Sequence, residues 1–246
     1  MRVLKVGGNE LNDPTFLLGL AGAVTMADEP VVIVHGGGRA IADLQARLGL
    51  QTTKVEGLRV TDADSLTVAE MVLSGRTNKQ IVSALLAAGV DAIGLSGVDR
   101  GLLRCRKISH PRADLGYVGE ITQVRAEVIL QFVTGGVTPV VSPISLGLDG
   151  QTYNVNADHA AGALAAALGA SLLDFISNVP GVMDQDTLIP ILTASRTREL
   201  IASGVIRDGM IPKVNAALAA VAQGARRARI INLAGLAGAG GTSIIP

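Results

Sequence analysis

The sequence predicts an α/β protein: a three-layer αβα sandwich around a mostly parallel central sheet, divided into two lobes. Three observations lead there. Short runs of β-branched and aliphatic residues alternate with longer helical patterns along the whole chain. Several of the helical patterns end in glycine, which adopts positive φ without a Cβ clash and so suits a helix C-terminus. Finally, 246 residues that are 48% hydrophobic and only 17% charged can bury a large core, as one unit or as two closely joined lobes.

The strands are read from runs bounded by turn residues: "RVLKV" at the start, then "PVVIVH", "DAIGLS", "VTPVVSP", "LLDFIS" and "RARIINL". Helices are expected over "RAIADLQARLG", "SLTVAEMVLSG", "NKQIVSALLAAG", "RAEVILQFVTGG", "DHAAGALAAALG" and "PKVNAALAAVAQG". In the second of these, Leu66, Val68, Ala69, Met71, Val72 and Leu73 cover too much of a helix for a one-faced surface element. That favours a partner surface, with intrachain core as the alternative. The uncharged stretch from Val128 to Leu148 is long enough to span a bilayer, but Gly135, Gly136, Pro139 and Pro143 make it helix, turn and strand. There is no repeat or low-complexity linker. The smoothest division falls near Gly169 and Ala170, giving lobes of residues 1–169 and 170–246.

Charge and cysteine usage narrow the function. Twenty-one basic residues balance twenty-one acidic ones, so the chain lacks the electrostatic footprint of a nucleic-acid binder or a membrane-surface protein. A small ligand is expected instead. The lone Cys105 can form no intrachain disulfide and reads as structural, in a reducing compartment such as the cytoplasm. The opening "MRVLKVGG" is too short and too interrupted for a signal sequence.

In a parallel sheet, ligands bind beyond the carboxyl ends of the strands. Gly7 and Gly8 follow the first predicted strand, and Gly36, Gly37 and Gly38 follow the second and lead into a helix. Such glycines let backbone amides approach an anion, though they also serve as plain tight turns. Lys5 is the sharper signal, because an ammonium inside a central strand needs an anionic partner. Lys213 stands near a helix start, where a bound anion would offset the unfavourable dipole; an exposed first-turn lysine is the alternative. Asn154, Asn156 and Asp158 occupy alternate positions just before an Ala-rich helix. The chain has no Walker loop, no dinucleotide fingerprint after a strand, no protein kinase signature and no metal-ligand cluster. His35, His110 and His159 are scattered and read as structural or surface residues.

The segments "KVGG", "VIVHGGG", "EGLRVTDAD", "NKQIV", "GLSGVD", "DLGYVGEI", "TPVVSPI", "YNVNADHAAGALAAALGA", "SNVPGV" and "DGMIPKVNAAL" occur in the order seen in the amino acid kinase family. Within it the chain most resembles the N-acetyl-L-glutamate kinases, over nearly its whole length. The resemblance implies ATP-dependent phosphorylation of the γ-carboxylate of N-acetylglutamate, a step of arginine biosynthesis. The N-terminal lobe would bind the acyl amino acid and the C-terminal lobe MgATP. By match to the motifs, Lys5 and Lys213 would stabilise the transferring phosphoryl group, and Asp158 would hold both ammonium groups. Asn154 and Arg59 would take the α-carboxylate, with Asn156 in the same motif. Amides around Gly37 and Gly38 would contact the acceptor, and those of Gly7 and Gly8 the phosphate. The resemblance assigns ATP to Ser177, Asn178, Val179, Pro180, Gly181, Val182 and Met183, and to Val205, Ile206 and Arg207. Mg²⁺ would be held mainly by phosphates, with no dedicated protein ligand.

Two departures stand out. Asn178 replaces an aspartate common in this branch, and "SNVPG" resembles related kinases acting on α-aminoadipate attached to an acidic carrier protein; "GLSGVDRG" also differs from the commoner Gly-Leu-Ser-Gly-Lys-Asp-Gly. Arginine-inhibited relatives carry an additional N-terminal helix, so a homodimer without arginine feedback is expected. Besides the acetylglutamate kinase reading, a kinase for carrier-linked aminoadipate or glutamate and a non-catalytic metabolite-binding regulator remain as alternatives. The joint presence of Lys5, Asp158 and Lys213 argues against the last.

Overall fold

The structure, a computed structural model, describes residues 1–8, 10–51, 53–55, 58–236, 238 and 240–246, with only the backbone of residues 54, 58 and 59. The chain runs β1 (Arg2–Val6), a 3-10 turn (Glu10–Asn12), α1 (Pro14–Thr25), β2 (Val31–His35), α2 (Gly38–Arg47), β3 (Lys54–Val55), β4 (Leu58–Arg59) and α3 (Ala63–Glu70). A π-helical segment (Met71–Thr77) leads into α4 (Asn78–Ala87), β5 (Ala92–Ser96), β6 (Leu103–Lys107), β7 (Val118–Val124), α5 (Ala126–Thr134), β8 (Thr138–Ser142), β9 (Ile144–Gly147), β10 (Thr152–Val155) and α6 (Ala157–Ala167). Then follow β11 (Leu172–Ser177), β12 (Met183–Asp184), β13 (Thr187–Leu188), β14 (Ile191–Leu192), α7 (Ala194–Ala202), α8 (Met210–Ala222), β15 (Ala228–Asn232) and β16 (Thr242–Ile244).

Every strand read from the sequence lies in one eight-stranded sheet, ordered β14-β16-β15-β11-β1-β2-β8-β5. All its pairings are parallel except β15 with β16. β2, β8 and β11 are buried along their whole length, as expected of parallel strands covered on both faces. One core contains Val3, Val32, Leu173 and Ile230 with residues of α5, α6 and α8; the other contains Leu4, Val6, Ile33 and Ile176 with α1 and α4. The sheet therefore separates two helix layers, completing the three-layer sandwich.

The two helices expected over residues 65–75 and 78–89 are one run, because the π segment joins α3 to α4 without a break. Leu66, Val68, Ala69, Val72 and Leu73 are buried within this chain, whereas Met71 is 61% exposed. Their breadth thus reflects intrachain packing on several sides of the helix, and of the six only Met71 stays exposed. A second feature, not read from the sequence, is a closed barrel of β10, β7, β6 and β9. It encloses the fully buried Cys105, whose thiol burial pushes up to about 11, in keeping with a structural role. Residues 128–148 resolve into most of α5, a turn, β8 and β9, and no helix among the described residues is long and apolar enough to cross a membrane.

Candidate active site

Side chains alternate across a strand, and this places the first lysine. Val3 joins the core on the α6 side and Leu4 and Val6 the core on the α1 side, so Lys5 leaves the sheet toward α6 at the carboxyl end of β1. β1 is central, between β11 and β2, so Lys5 cannot reach water as an edge residue would. Its anion is Asp158: Lys5 Nζ lies 2.8 Å from Asp158 Oδ1, with 15% of the lysine side chain exposed.

Asp158 is held by the segment that attracted attention in the sequence. β10 ends at Val155, and Asn156 becomes the N-cap of α6, accepting hydrogen bonds from the Asp158 N–H at 2.8 Å and the His159 N–H at 3.3 Å. Asp158 then falls in the first helical turn, where the dipole favours a carboxylate. The alternation of Asn154, Asn156 and Asp158 thus spans a strand end, a cap and a helix start. Asn154 Nδ2 donates to Thr61 Oγ1 at 3.3 Å. The side chain of Arg59, assigned to the same acceptor carboxylate, lies outside the described residues.

The second lysine comes from the other side. Lys213, in the first turn of α8, donates from Nζ to Ser177 Oγ at the end of β11, 2.6 Å away. Burial holds its pKa below the usual lysine value; Lys5 pushes the same way, while Glu10 and Asp158 oppose it. Lys5, Lys213, Asp158 and Glu10 therefore share one electrostatic neighbourhood.

The two glycine loops meet between these groups. A Cβ on Gly8 would come within 2.6 Å of the Gly37 Cα and N and 2.9 Å of the Gly38 N, so only glycine permits this contact. A Cβ on Gly7 would lie 2.7 Å from Glu10 Oε2, which puts that carboxylate over the first loop. Gly37 leads into α2, and no side chain caps that helix. Lys5, Gly8, Gly37, Gly38, Asn154, Asn156 and Asp158 line a cavity of about 280 Å³, whose apolar wall includes Ile41, Leu73, Ile108 and Val118. The wall residues and Glu10 were not singled out in the sequence. Leu73 registers there only as one of many apolar residues on a helix, and it faces the cavity because the π segment brings it against Gly37, where a Cβ would be 2.6 Å from its Cδ2.

The residues assigned to ATP divide into two groups. Met183, Val205 and Arg207 line a separate hollow of about 440 Å³ with Asp184, Gln185, Ser203 and Gly204. Val182 and Ile206 are 1% exposed and Gly181 is buried against Leu188 and Thr242, so none of these three lines the hollow. Asn178 and Pro180 are exposed, Val179 is partly buried, and Asn178 Oδ1 accepts from Ser177 Oγ at 3.3 Å. His35 is fully buried and His110 is half-buried, whereas His159 is exposed at the cavity rim.

The chain matches a sequence-family model described as "Amino acid kinase family" over residues 1–232. A protein of Roseiflexus sp. (strain RS-1) named acetylglutamate kinase is 54% identical over 222 residues, covering 90% of this chain and 85% of that one. An acetylglutamate kinase of Geobacillus thermodenitrificans is 46% identical over 224 residues, with coverage of 89% and 85%. Among solved structures, smu.665 from Streptococcus mutans UA159 superposes with a TM-score of 0.84 at 31% identity, covering 99% of this chain and 98% of that one. The Giardia carbamate kinase, at 17% identity, a TM-score of 0.71 and coverage of 99% and 98%, shares the fold. With the family model spanning nearly the whole chain, and Lys5, Asp158 and residues of both glycine loops lining one cavity, this chain belongs to the amino acid kinase family.

Proposed function

We propose that this protein transfers the γ-phosphoryl group of ATP to the γ-carboxylate of N-acetyl-L-glutamate, giving N-acetyl-L-glutamyl 5-phosphate and ADP. The observation that carries the reading is the convergence of Lys5 and Lys213, from separate strands and helices, beside two abutting glycine loops and a small cavity. The names of relatives at 46–54% identity point the same way. A carboxylate oxygen attacks the γ-phosphorus as the bond to the ADP oxygen breaks; both partners are anions, so positioning and charge cancellation dominate. Lys213 and Lys5 meet the charge on the transferring oxygens, and Asp158 sets the place of Lys5. The acceptor is already ionised at neutral pH, so no general base is required.

Lobes 1–169 and 170–246 would supply the acceptor and nucleotide halves, with Lys5 on the first and Ser177 and Lys213 on the second. Asn154, Asn156, Arg59, Gly37 and Gly38 would hold the acceptor. Gly7 and Gly8 would take the phosphates, and Met183, Val205 and Arg207 the nucleoside. Mg²⁺ would arrive on the phosphates and keep water ligands. Mg²⁺ would supply neutralisation of phosphate charge, and Glu10 presents a carboxylate beside Gly7. We also propose a homodimer in the cytoplasm, supported by the exposed Met71 and by β5 ending the sheet with one edge unpaired within the chain.

The test is ADP release and hydroxylamine trapping of acyl phosphate with N-acetyl-L-glutamate, N-acetyl-L-aspartate, L-glutamate and L-α-aminoadipate. Hydroxamate from N-acetyl-L-glutamate alone supports the reading. No hydroxamate from any free acid rejects it in favour of the carrier-linked substrate to which Asn178 points or of a non-catalytic metabolite-binding regulator.

A further inference from the structure

His35 closes β2 immediately before the second glycine loop and is fully buried, as is Asn78, the first residue of α4 after the π segment. Neither lines the cavity. Buried polar side chains must be satisfied, and the way these two are satisfied fixes their protons. Asn78 Nδ2 lies 2.9 Å from the Val140 carbonyl oxygen, 3.3 Å from that of Leu95 and 3.2 Å from His35 Nε2. Asn78 Oδ1 accepts from Lys79 Nζ at 3.0 Å, and the same ammonium donates to the Gly94 carbonyl at 3.3 Å. Carbonyls only accept and an ammonium only donates, so the amide has one permissible orientation. Its nitrogen is solely a donor, which requires the facing Nε2 to be the unprotonated ring nitrogen. The imidazole proton is therefore on Nδ1, 3.0 Å from the Gly36 carbonyl oxygen, to which it donates.

We propose that His35 is a positioning residue: locked by Asn78 as the neutral Nδ1–H tautomer, it holds the Gly36 carbonyl and thereby aims the Gly37 and Gly38 amides at the acceptor carboxylate. Any drift of Gly37 is transmitted to the phosphate loop, because Gly8 is in backbone contact with it. The cluster is built for this arrangement from three neighbouring elements. β8 and β5 present only carbonyls to Asn78, α4 presents Lys79, and Gly94 leaves room that a Cβ would take from both Asn78 and Lys79. Burial pushes the His35 pKa down to about 4, Lys79 acts in the same direction, and the Gly36 bond opposes them. A second ring proton would also face the Asn78 NH₂ group.

The inference rests on the cavity being the acceptor site, and the experiment separates the two. In ¹⁵N-histidine NMR of the whole protein, His35 is expected as a neutral Nδ1–H tautomer, unchanged between about pH 5.5 and 9. An asparagine amide nitrogen can stand in for Nδ1 and a glutamine nitrogen for Nε2. His35→Asn should therefore keep acceptor KM within about threefold of wild type, whereas His35→Gln should lower kcat/KM for the acceptor about 10- to 100-fold. KM for ATP should move less than KM for the acceptor in His35→Gln. Equal losses in both variants, better activity in His35→Gln, or an Nε2–H tautomer overturns the proposal, and the NMR arm decides if neither variant folds. Absence of acyl hydroxamate with the wild-type protein would reject the acetylglutamate reading and leave the tautomer assignment to NMR.

Discussion

Lys5 Nζ and Asp158 Oδ1 meet at 2.8 Å, joining the central strand of the sheet to the first turn of α6. The pair gives a cation on a central strand its anion, and it fixes the Lys5 ammonium at the cavity. Asp158→Asn keeps the shape and removes the charge. We expect kcat to fall about 10- to 100-fold, because Lys5 loses its fixed orientation. KM for ATP should stay level or fall, since the phosphates then meet one negative charge fewer. Steady-state kinetics at saturating acceptor check this, and an unchanged kcat would remove Asp158 from the machinery.

Lys213 couples activity to a cost in stability. Its pKa is lowered from 10.5, mainly by burial. The unfolded chain thus binds this proton more tightly than the folded protein, so the charged lysine opposes folding below its folded pKa. Stability on this account rises with pH between that lowered value and 10.5. Lys213→Met should lose about 10³-fold or more in kcat while raising Tm at pH 7. The wild-type kcat profile should show an alkaline fall centred below 10.5. A thermal melt in which Lys213→Met is less stable than wild type would contradict the sign.

The parts of the fold that were legible are those with an unambiguous period. β2, β8 and β11 read as continuous apolar runs because both of their faces are covered. The barrel strands are harder: β6 ("LRCRK") and β7 ("VGEITQV") bury only part of their residues, so their pattern resembles that of ordinary surface segments. Lys5 and Lys213 were findable as cations in unfavourable places. Leu73 was not, because nothing in the sequence marks a π turn, and Ile108 and Val118 reach the cavity only through the barrel. The role of Asn156 became clear once the helix start was located at Ala157.

Gly8→Ala should separate the two loops. The new methyl would sit 2.6 Å from backbone atoms of Gly37, which cannot rotate away as a side chain could. Overpacking of this kind costs about 1–3 kcal/mol. With the two loops in their proposed roles, KM for ATP and KM for the acceptor should rise together. Calorimetry and two-substrate kinetics measure both effects, and a variant with wild-type KM values would show that the loops move independently.

Asn156→Ala removes the side chain that caps α6 through the Asp158 and His159 N–H groups. The expected cost is about 1 kcal/mol, typical of a lost N-cap. Asp158 lies two residues further on, so a frayed first turn should also lower kcat. Asn156→Ser, which restores a cap acceptor, should recover most of the stability and the part of kcat lost to fraying, while KM for the acceptor stays raised because serine does not replace the amide. A wild-type acceptor KM in Asn156→Ser would instead show that Asn156 acts only as a cap.

Asp174 and Arg229 form the most deeply buried ion pair among the described residues, and the register explains it: they face each other on neighbouring parallel strands β11 and β15. Arg229 Nε donates to Asp174 Oδ1 at 2.6 Å and Nη2 to Oδ2 at 3.2 Å. Its Nη1 donates to the carbonyl oxygens of Gly238 and Gly240, tying the loop before β16 to the sheet. Asp174 is 0% exposed, so removing it strands a guanidinium that is itself 6% exposed. Asp174→Leu should cost about 3–5 kcal/mol, while replacing both partners, Asp174→Leu with Arg229→Met, should cost less because the Arg229 guanidinium leaves with its anion, and Arg2, 3.7 Å from Asp174, keeps Glu29 at 3.4 Å. Urea unfolding of the two single variants and the double variant gives the coupling directly. If the double variant is as unstable as the sum of the singles, the carbonyl contacts of Arg229, rather than its pairing with Asp174, hold this edge of the sheet together.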